Sequence, residues 1–267
     1  MDASARDRIP LRSAGDVARI RAACLIVREV LDEVVRAAVP GVTTAELDRL
    51  AHARTRERGA APAFLGYHGY PASLCVSVND EVVHGIPSAS RRLADGDLVG
   101  LDFGAVLDGW YGDAAVTVPV GRVREGATRL LSAGQEALAR AVAAARPGAT
   151  TGDLGAAVQR YVEAQGYSVV RDFVGHGIGR RLHEPPHLPN FGTAGTGQRL
   201  VAGMVLAIEP MVNAGHPEVE QLDDGWTAVT SDGSLSVHFE HTVAVTEIGP
   251  EILTLPRDGA VSRGEAP

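Results

Sequence analysis

The octapeptide PGVTTAEL at residues 40–47 recurs as PGATTGDL at residues 147–154, an offset of 107 positions. In each copy a Pro-Gly pair stops one helix, and a threonine followed by an acid opens the next. Ahead of the first copy, Val17, Ile20, Ala23, Cys24, Val27, Val30, Leu31 and Val34 recur at helical spacing between about Ser13 and Val39. Ahead of the second copy, 128–145 reads the same way. The second helix of each pair runs to a glycine, Gly59 or Gly166, again 107 apart. The same offset carries Arg92-Leu93-Ala94-Asp95-Gly96 onto Arg199-Leu200-Val201-Ala202-Gly203, and Asp102 onto Glu209. It lapses between about 67 and 91. After Glu209 the second copy gains about twenty residues, and then DAAVTV from Asp113 resembles EHTVAV from Glu240. Solenoid repeats run about 20–50 residues, so a period this long means a duplication. The chain is therefore expected to be two αα–β halves related by a pseudo-twofold, each half supplying two carboxylates.

Runs rich in β-formers place strands at 74–78, 81–84, 97–107, 111–120, 205–208, 227–229 and 236–246. The fold class that follows is mixed α/β (α+β). Its strands should curl into a shared antiparallel sheet, with four main helices on the outer face.

Composition narrows the function classes. At 267 residues, 45% hydrophobic and 22% charged, the chain has the make-up of a globular enzyme. A net charge of −8, with every basic side chain an arginine and no lysine, argues against a nucleic-acid substrate held by basic patches. The first ten residues lack the apolar core of a signal peptide, and no apolar run approaches the ~20 residues of a membrane span. Two cysteines, Cys24 and Cys75, lack metal-finger spacing and suggest a reducing compartment. The expectation is a cytoplasmic protein with no membrane partner.

Asp102 sits in DLVGLDFGAVLDG, a run that otherwise reads as core. An ionised carboxylate there is costly unless it is paired or on a metal. If Asp108-Gly109 form a two-residue hairpin turn, Asp102 opposes Ala115, and Asp113 lies diagonal to Asp102 on the same face. Two like charges so close repel, and a cation between them removes the conflict. Glu209 in VLAIEP and Glu240 in SVHFEHTVAV form the matching pair in the second half. Four acids with few nitrogens suit hard or borderline divalent ions, and more than one of them. Two ions about 3.5–4 Å apart, bridged by carboxylates and water, are a hydrolytic arrangement.

The stretch VGHGIGRRLHEPP (174–186) holds His176 and His183, seven apart. On a helix that spacing spans ~10.5 Å. On a strand it puts the two on opposite faces. Both reach one site only if the chain bends between them, which Gly177 and Gly179 permit. One metal-ligating histidine beside one that does not ligate is the preferred reading. His84 ends another β-rich run at a Gly and a Pro. His52, His68, His187, His216, His238 and His241 have no comparable context and are expected at the surface or behind the ligands.

Taken together, the chain resembles the type I methionine aminopeptidases, metallopeptidases of family M24 with the pita-bread fold. The matching stretches are GYHGYPASLCVSVNDEVVHGIP (66–87), LDFGAVLDGWYGDAAVT (101–117), GHGIGRRLHEPP (175–186), MVLAIEPM (204–211) and DGWTAVTSDGSLSVHFEHTVAVT (224–246). The resemblance implies a single pita-bread catalytic domain over 13–255, with halves of about 13–120 and 121–250. It leaves an N-terminal extension at 1–12 and a polar tail at 256–267. It implies that Asp102, Asp113, His176, Glu209 and Glu240 hold two divalent ions (Co, Mn, Fe or Zn), with Asp113 and Glu240 bridging. His84 and His183 then contact substrate, and Glu209 also accepts a proton. Phe64, Tyr67, Tyr70, Cys75, Leu182 and Trp226 line the methionine pocket. Leu182 departs from a common phenylalanine, and Val83 from a common cysteine. A peripheral monovalent cation near Asn79 and Ser236 is a further implication.

The implied activity is removal of the initiator methionine from nascent polypeptides, at the ribosome, by a monomer that prefers a small uncharged second residue. Two alternatives stand beside it. One is an X-Pro aminopeptidase or dipeptidase of the same fold; such enzymes usually add an N-terminal domain, whereas this sequence opens almost directly on the first helix pair. The other is a non-enzymatic peptide-binding relative, which would be expected to lose metal ligands. Type II enzymes carry a large insertion between the last two ligands, and the 31-residue spacing from Glu209 to Glu240 leaves no room for it.

Overall fold

The computed structural model describes residues 9–256, so most of the 1–12 extension and nearly all of the 256–267 tail lie outside the described residues. Among the described residues four α-helices come in two consecutive pairs, α1 (Ala14–Ala37) with α2 (Thr44–Glu57) and α3 (Glu125–Ala144) with α4 (Thr151–Ala164), and each pair is followed by a run of antiparallel strands.

The duplication is visible atom by atom. Helices α2 and α4 open on capping boxes, Thr43 with Glu46 and Thr150 with Asp153. In each box the hydroxyl accepts from the third residue's N–H, and that acid accepts from the threonine N–H. The isolated bridge Thr43–Arg92 recurs as Thr150–Arg199. Gly41 and Gly148 share φ of 92° and 91°, and Gly96 and Gly203 share 97° and 94°. These are left-handed turns that only glycine enters without strain. Helix α3 begins at Glu125 rather than near Thr128. Its cap residue, Arg124, makes no side-chain capping bond, so no local signal marks that boundary.

The long hairpin pairs Leu98–Leu107 with Trp110–Pro119, and Asp102 lies opposite Ala115 as the two-residue turn predicts. The strand Cys75–Val78 adds to its other edge, with Cys75 opposite Asp102. In the second half, Val205–Ile208 lies between His241–Thr246 and Gly175–Gly177.

The shared sheet is assembled from four ladders rather than one. Single bonds join neighbouring ladders: Glu240 N–H donates to Ala115 O at 2.9 Å, and Ser236 N–H to Asn79 O at 2.8 Å. The expected 236–246 strand accordingly breaks at Phe239–Glu240, where Phe239 N–H turns to Pro210 O and Glu240 N–H to Ala115 O. That break sends Glu240 across from the second half to the first.

Helices α1 and α2 pack Val27, Val30, Leu31, Val34 and Leu47 onto Leu74, Leu101 and Phe103. Helices α3 and α4 pack Leu130, Leu138, Leu154 and Val158 onto Leu206, Val237 and Val243. Burying a side chain of this size contributes roughly 1.5–3 kcal/mol. The helices therefore hold the far face of the sheet, and the opposite face is left for the site. Among the described residues no helix is long and apolar enough to cross a membrane.

Candidate metal centre and substrate cavity

The thirteen residues expected at the metal centre, in catalysis or along the methionine pocket all line one cavity of about 480 Å³. At its base, ligating atoms of Asp113, His176 and Glu240 lie within 4.8 Å of one another. Glu209 Oε1 is 3.4 Å from His176 Nε2, and Asp113 Oδ2 is 4.0 Å from it. Asp102 lies outside this tightest group but faces the same cavity from the partner strand.

The two halves lock this base together. Thr242 Oγ1 accepts from Asp113 N–H at 3.2 Å and donates to Asp113 O at 2.8 Å. Thr117 Oγ1 does the same with His238, accepting from its N–H and donating to its carbonyl, both at 2.9 Å.

Burial raises all four carboxylates. Asp102 is pushed up to about 7 by burial. Asp113 is driven well above the usual range by burial and then by the Asp102 charge. Glu209 and Glu240 are raised likewise, burial first and the neighbouring carboxylates second. Asp102 Oδ1, Asp113 Oδ1 and Glu240 Oε1 are buried without a hydrogen-bond partner. Orphaned buried oxygens on converging acids are costly unless something positive sits among them. The donor set fits a divalent cation.

His176 is prepared for the same task. Its Nδ1 donates to Gly177 O at 2.9 Å, and a carbonyl can only accept, so Nε2 keeps its lone pair and faces the acids. Burial lowers its pKa to about 3, so the ring stays neutral. The bend that brings His183 back is a register shift between His176 and Gly177. Glycine is needed there for close approach: a Cβ on Gly177 would lie 2.2 Å from Pro185 O. The His176 and His183 rings end 4.2 Å apart, centroid to centroid.

His183 Nδ1 lies 2.6 Å from the Tyr67 hydroxyl, and burial lowers its pKa to about 4. His84 adopts φ of 61°, a left-handed conformation uncommon for a residue with a side chain and concentrated at functional sites. Its ring stands edge-on to Phe173 and Trp226. Trp226 in turn meets Tyr70 at 5.1 Å, and Tyr70 donates to Gly85 O at 2.9 Å. With Phe64, Tyr67, Cys75 and Leu182, these rings make an apolar wall above the acids. Burial holds Cys75 in its thiol form.

Several lining residues had no sequence signal. His68, Phe173, Val174 and Met211 join the wall; Val83, which the resemblance had marked as a departure in the pocket, lines it too. His238, expected at the surface or behind the ligands, takes the second place: it is buried, with Nε2 unpartnered and 3.7 Å from Glu209 Oε2. Its strand is placed there by pairing with Met211–Asn213 on one side and by the Thr117 contact on the other. His241 does face away, bonded to Thr254 Oγ1 at 2.8 Å.

The sequence pattern of metallopeptidase family M24 matches residues 18–247. Methionine aminopeptidase from Clostridium perfringens is 50% identical over 247 residues, 92% of this chain and 99% of that protein. The crystal structure of methionine aminopeptidase from Thermotoga maritima superposes with a TM-score of 0.92 at 45% identity, covering 93% of this chain and all of that one. Prolidase from Pyrococcus furiosus superposes less closely, with a TM-score of 0.79 at 25% identity, and the match covers 68% of its length. The chain belongs to the M24 metallopeptidases, which are metal-dependent hydrolases with the pita-bread fold. Within that family its similarity is to the methionine aminopeptidases, over nearly the full length of both chains.

Proposed function

We propose that this protein is an aminopeptidase that removes the N-terminal methionine from peptides and nascent polypeptides, preferring a small uncharged second residue. The observation that carries this reading is the cluster of orphaned buried acids, with one neutral histidine, at the base of a single apolar cavity. Asp102, Asp113, His176, Glu209 and Glu240 would hold two divalent ions (Co, Mn, Fe or Zn). Bound there, divalent ions acidify water and polarise a carbonyl.

The remaining work falls to side chains. Glu209 accepts the proton of the attacking water. The Tyr67 hydroxyl donates to His183 Nδ1, which leaves the proton of the neutral ring on Nε2. His183 Nε2–H then donates to the scissile carbonyl oxygen as charge builds on it. His84, held in its strained conformation, hydrogen-bonds at the scissile amide nitrogen. Phe64, Tyr67, Tyr70, Cys75, Leu182 and Trp226 exclude water around the methionine side chain.

The same proposal takes 13–255 as one catalytic domain, acting as a cytoplasmic monomer on chains emerging from the ribosome. A monovalent cation near Asn79 is part of it, because Ser236 Oγ beside that residue is buried without a partner. The X-Pro reading is disfavoured by the partial coverage and lower identity of the prolidase match. Methionine release from Met-Ala-Ser with added divalent metal, against Met-Pro and Ala-Pro peptides, tests the assignment. Turnover of Met-Ala-Ser is expected. Preference for an X-Pro bond after a residue other than methionine would reassign the enzyme, and no turnover with any of Mn, Co, Fe or Zn would end the enzymatic reading.

A further inference from the structure

The turn that carries His183 is fastened by a buried ion pair outside the substrate cavity. Glu184 follows His183 directly, and its Oε1 accepts from the main-chain N–H groups of Arg180 and Arg181 at 2.9 and 3.1 Å. Its other oxygen, Oε2, pairs with the Arg12 guanidinium. Arg12 comes from the segment ahead of α1, and its own N–H donates to Gly203 O at 2.7 Å. The guanidinium lies flat on the turn: a Cβ on Gly179 would sit 2.5 Å from Arg12 Nη2. Arg12 and Arg180 also stack on Trp110, at 5.5 and 3.9 Å from its ring centroid. The Arg12 and Glu184 side chains are only 11% and 5% exposed.

An ion pair this buried adds little net stability, since apolar residues of similar volume usually do as well or better. What it adds is direction, through a bidentate-capable guanidinium and a carboxylate with both oxygens committed. Neither residue lines the cavity, so any effect on chemistry passes through a neighbour. The neighbour is His183, whose ring Tyr67 steadies from the other side.

We infer that Arg12 and Glu184 are positioning residues for methionine removal, together fixing the 179–184 turn so that His183 meets the scissile carbonyl. This rests on the proposed substrate contact of His183, and the test separates the two. On metal-loaded protein, kcat and KM for Met-Ala-Ser are measured for the parent, Arg12→Met, Glu184→Gln, His183→Ala and the Arg12→Met/His183→Ala double variant, with bound metal and thermal unfolding recorded for each.

Arg12→Met is expected to lower kcat by about 10–100-fold with KM within about threefold, because a misplaced group loses orientation rather than binding. Bound metal stays at the parent level. In the His183→Ala background the same substitution changes kcat by less than about twofold, since the two act as one unit. Equal losses in both backgrounds, or an unchanged kcat in Arg12→Met, overturn the inference. If Arg12→Met does not fold, Glu184→Gln, which keeps the side-chain shape, carries the same expectation; if neither folds, the pair is purely structural and the inference fails. A parent-like kcat in His183→Ala instead refutes the substrate contact of His183 itself.

Discussion

Asp102→Asn in the metal-stripped protein gives a result opposite to the usual loss on altering a buried ion-binding residue. Burial lifts the Asp102 carboxyl to about 7, against about 3.9 in an unfolded chain. Between those values the folded state binds a proton that the unfolded state has released. Stability of the metal-free parent therefore falls as pH rises from about 4 to about 7, and levels off above that. The gap corresponds to roughly 4 kcal/mol at most. Asparagine keeps the shape and cannot ionise, so it removes the penalty. Its buried amide returns about 1–2 kcal/mol of unmet hydrogen bonding. The net gain is about 2–3 kcal/mol at pH 8, turning into a loss of about 1 kcal/mol near pH 4. Urea unfolding in EDTA at the two pH values reads this as a higher midpoint for the variant at pH 8 only. In excess Mn²⁺ the order reverses, because the parent gains binding energy that the variant lacks. A metal-free variant less stable than the parent at both pH values would refute the reasoning, for it would mean that Asp102 is already satisfied by the protein.

Gly177→Ala must push Pro185 O outward, from the 2.2 Å that an added Cβ would impose. A loss of about 1–3 kcal/mol in thermal unfolding is expected. Gly126→Ala, whose Cβ meets only Arg129 at 4.0 Å, is the control and should cost nothing. His84→Ala should lower kcat/KM by more than tenfold; a change within about threefold, only ~0.65 kcal/mol, would remove His84 from the reaction.

The hairpin and the duplication were legible because their determinants are local. A two-residue turn at Asp108-Gly109 sets the register over ten residue pairs, and so puts Asp102 and Asp113 on one face. Capping boxes and Pro-Gly stops mark helix ends within a few residues of sequence. The His176–His183 bend was legible as a need, but not its cause. Gly177 and Gly179 lack positive φ and serve to admit Pro185 and Arg12, partners that no spacing rule names. Which of the two places expected for His238 it takes was not legible for the same reason, since its strand is fixed by Met211–Asn213 and by Thr117, 121 positions away. The short strands 168–169, 175–177 and 184–188 carry no alternation to read. They are strands because Val205–Ile208 and Met211–Asn213 supply partners, directly or through one another.

The central claim is that the buried acids form a metal centre required for cleavage. Its most direct test is anaerobic titration of metal-stripped protein with Mn²⁺ or Co²⁺, reading bound metal per chain and methionine release from Met-Ala-Ser on the same samples, with Asp113→Asn alongside. The parent is predicted to rise from no activity to full turnover as bound metal approaches two per chain, while Asp113→Asn binds less and stays inactive. Full turnover in the stripped protein, or in Asp113→Asn at parent rates, would contradict the account.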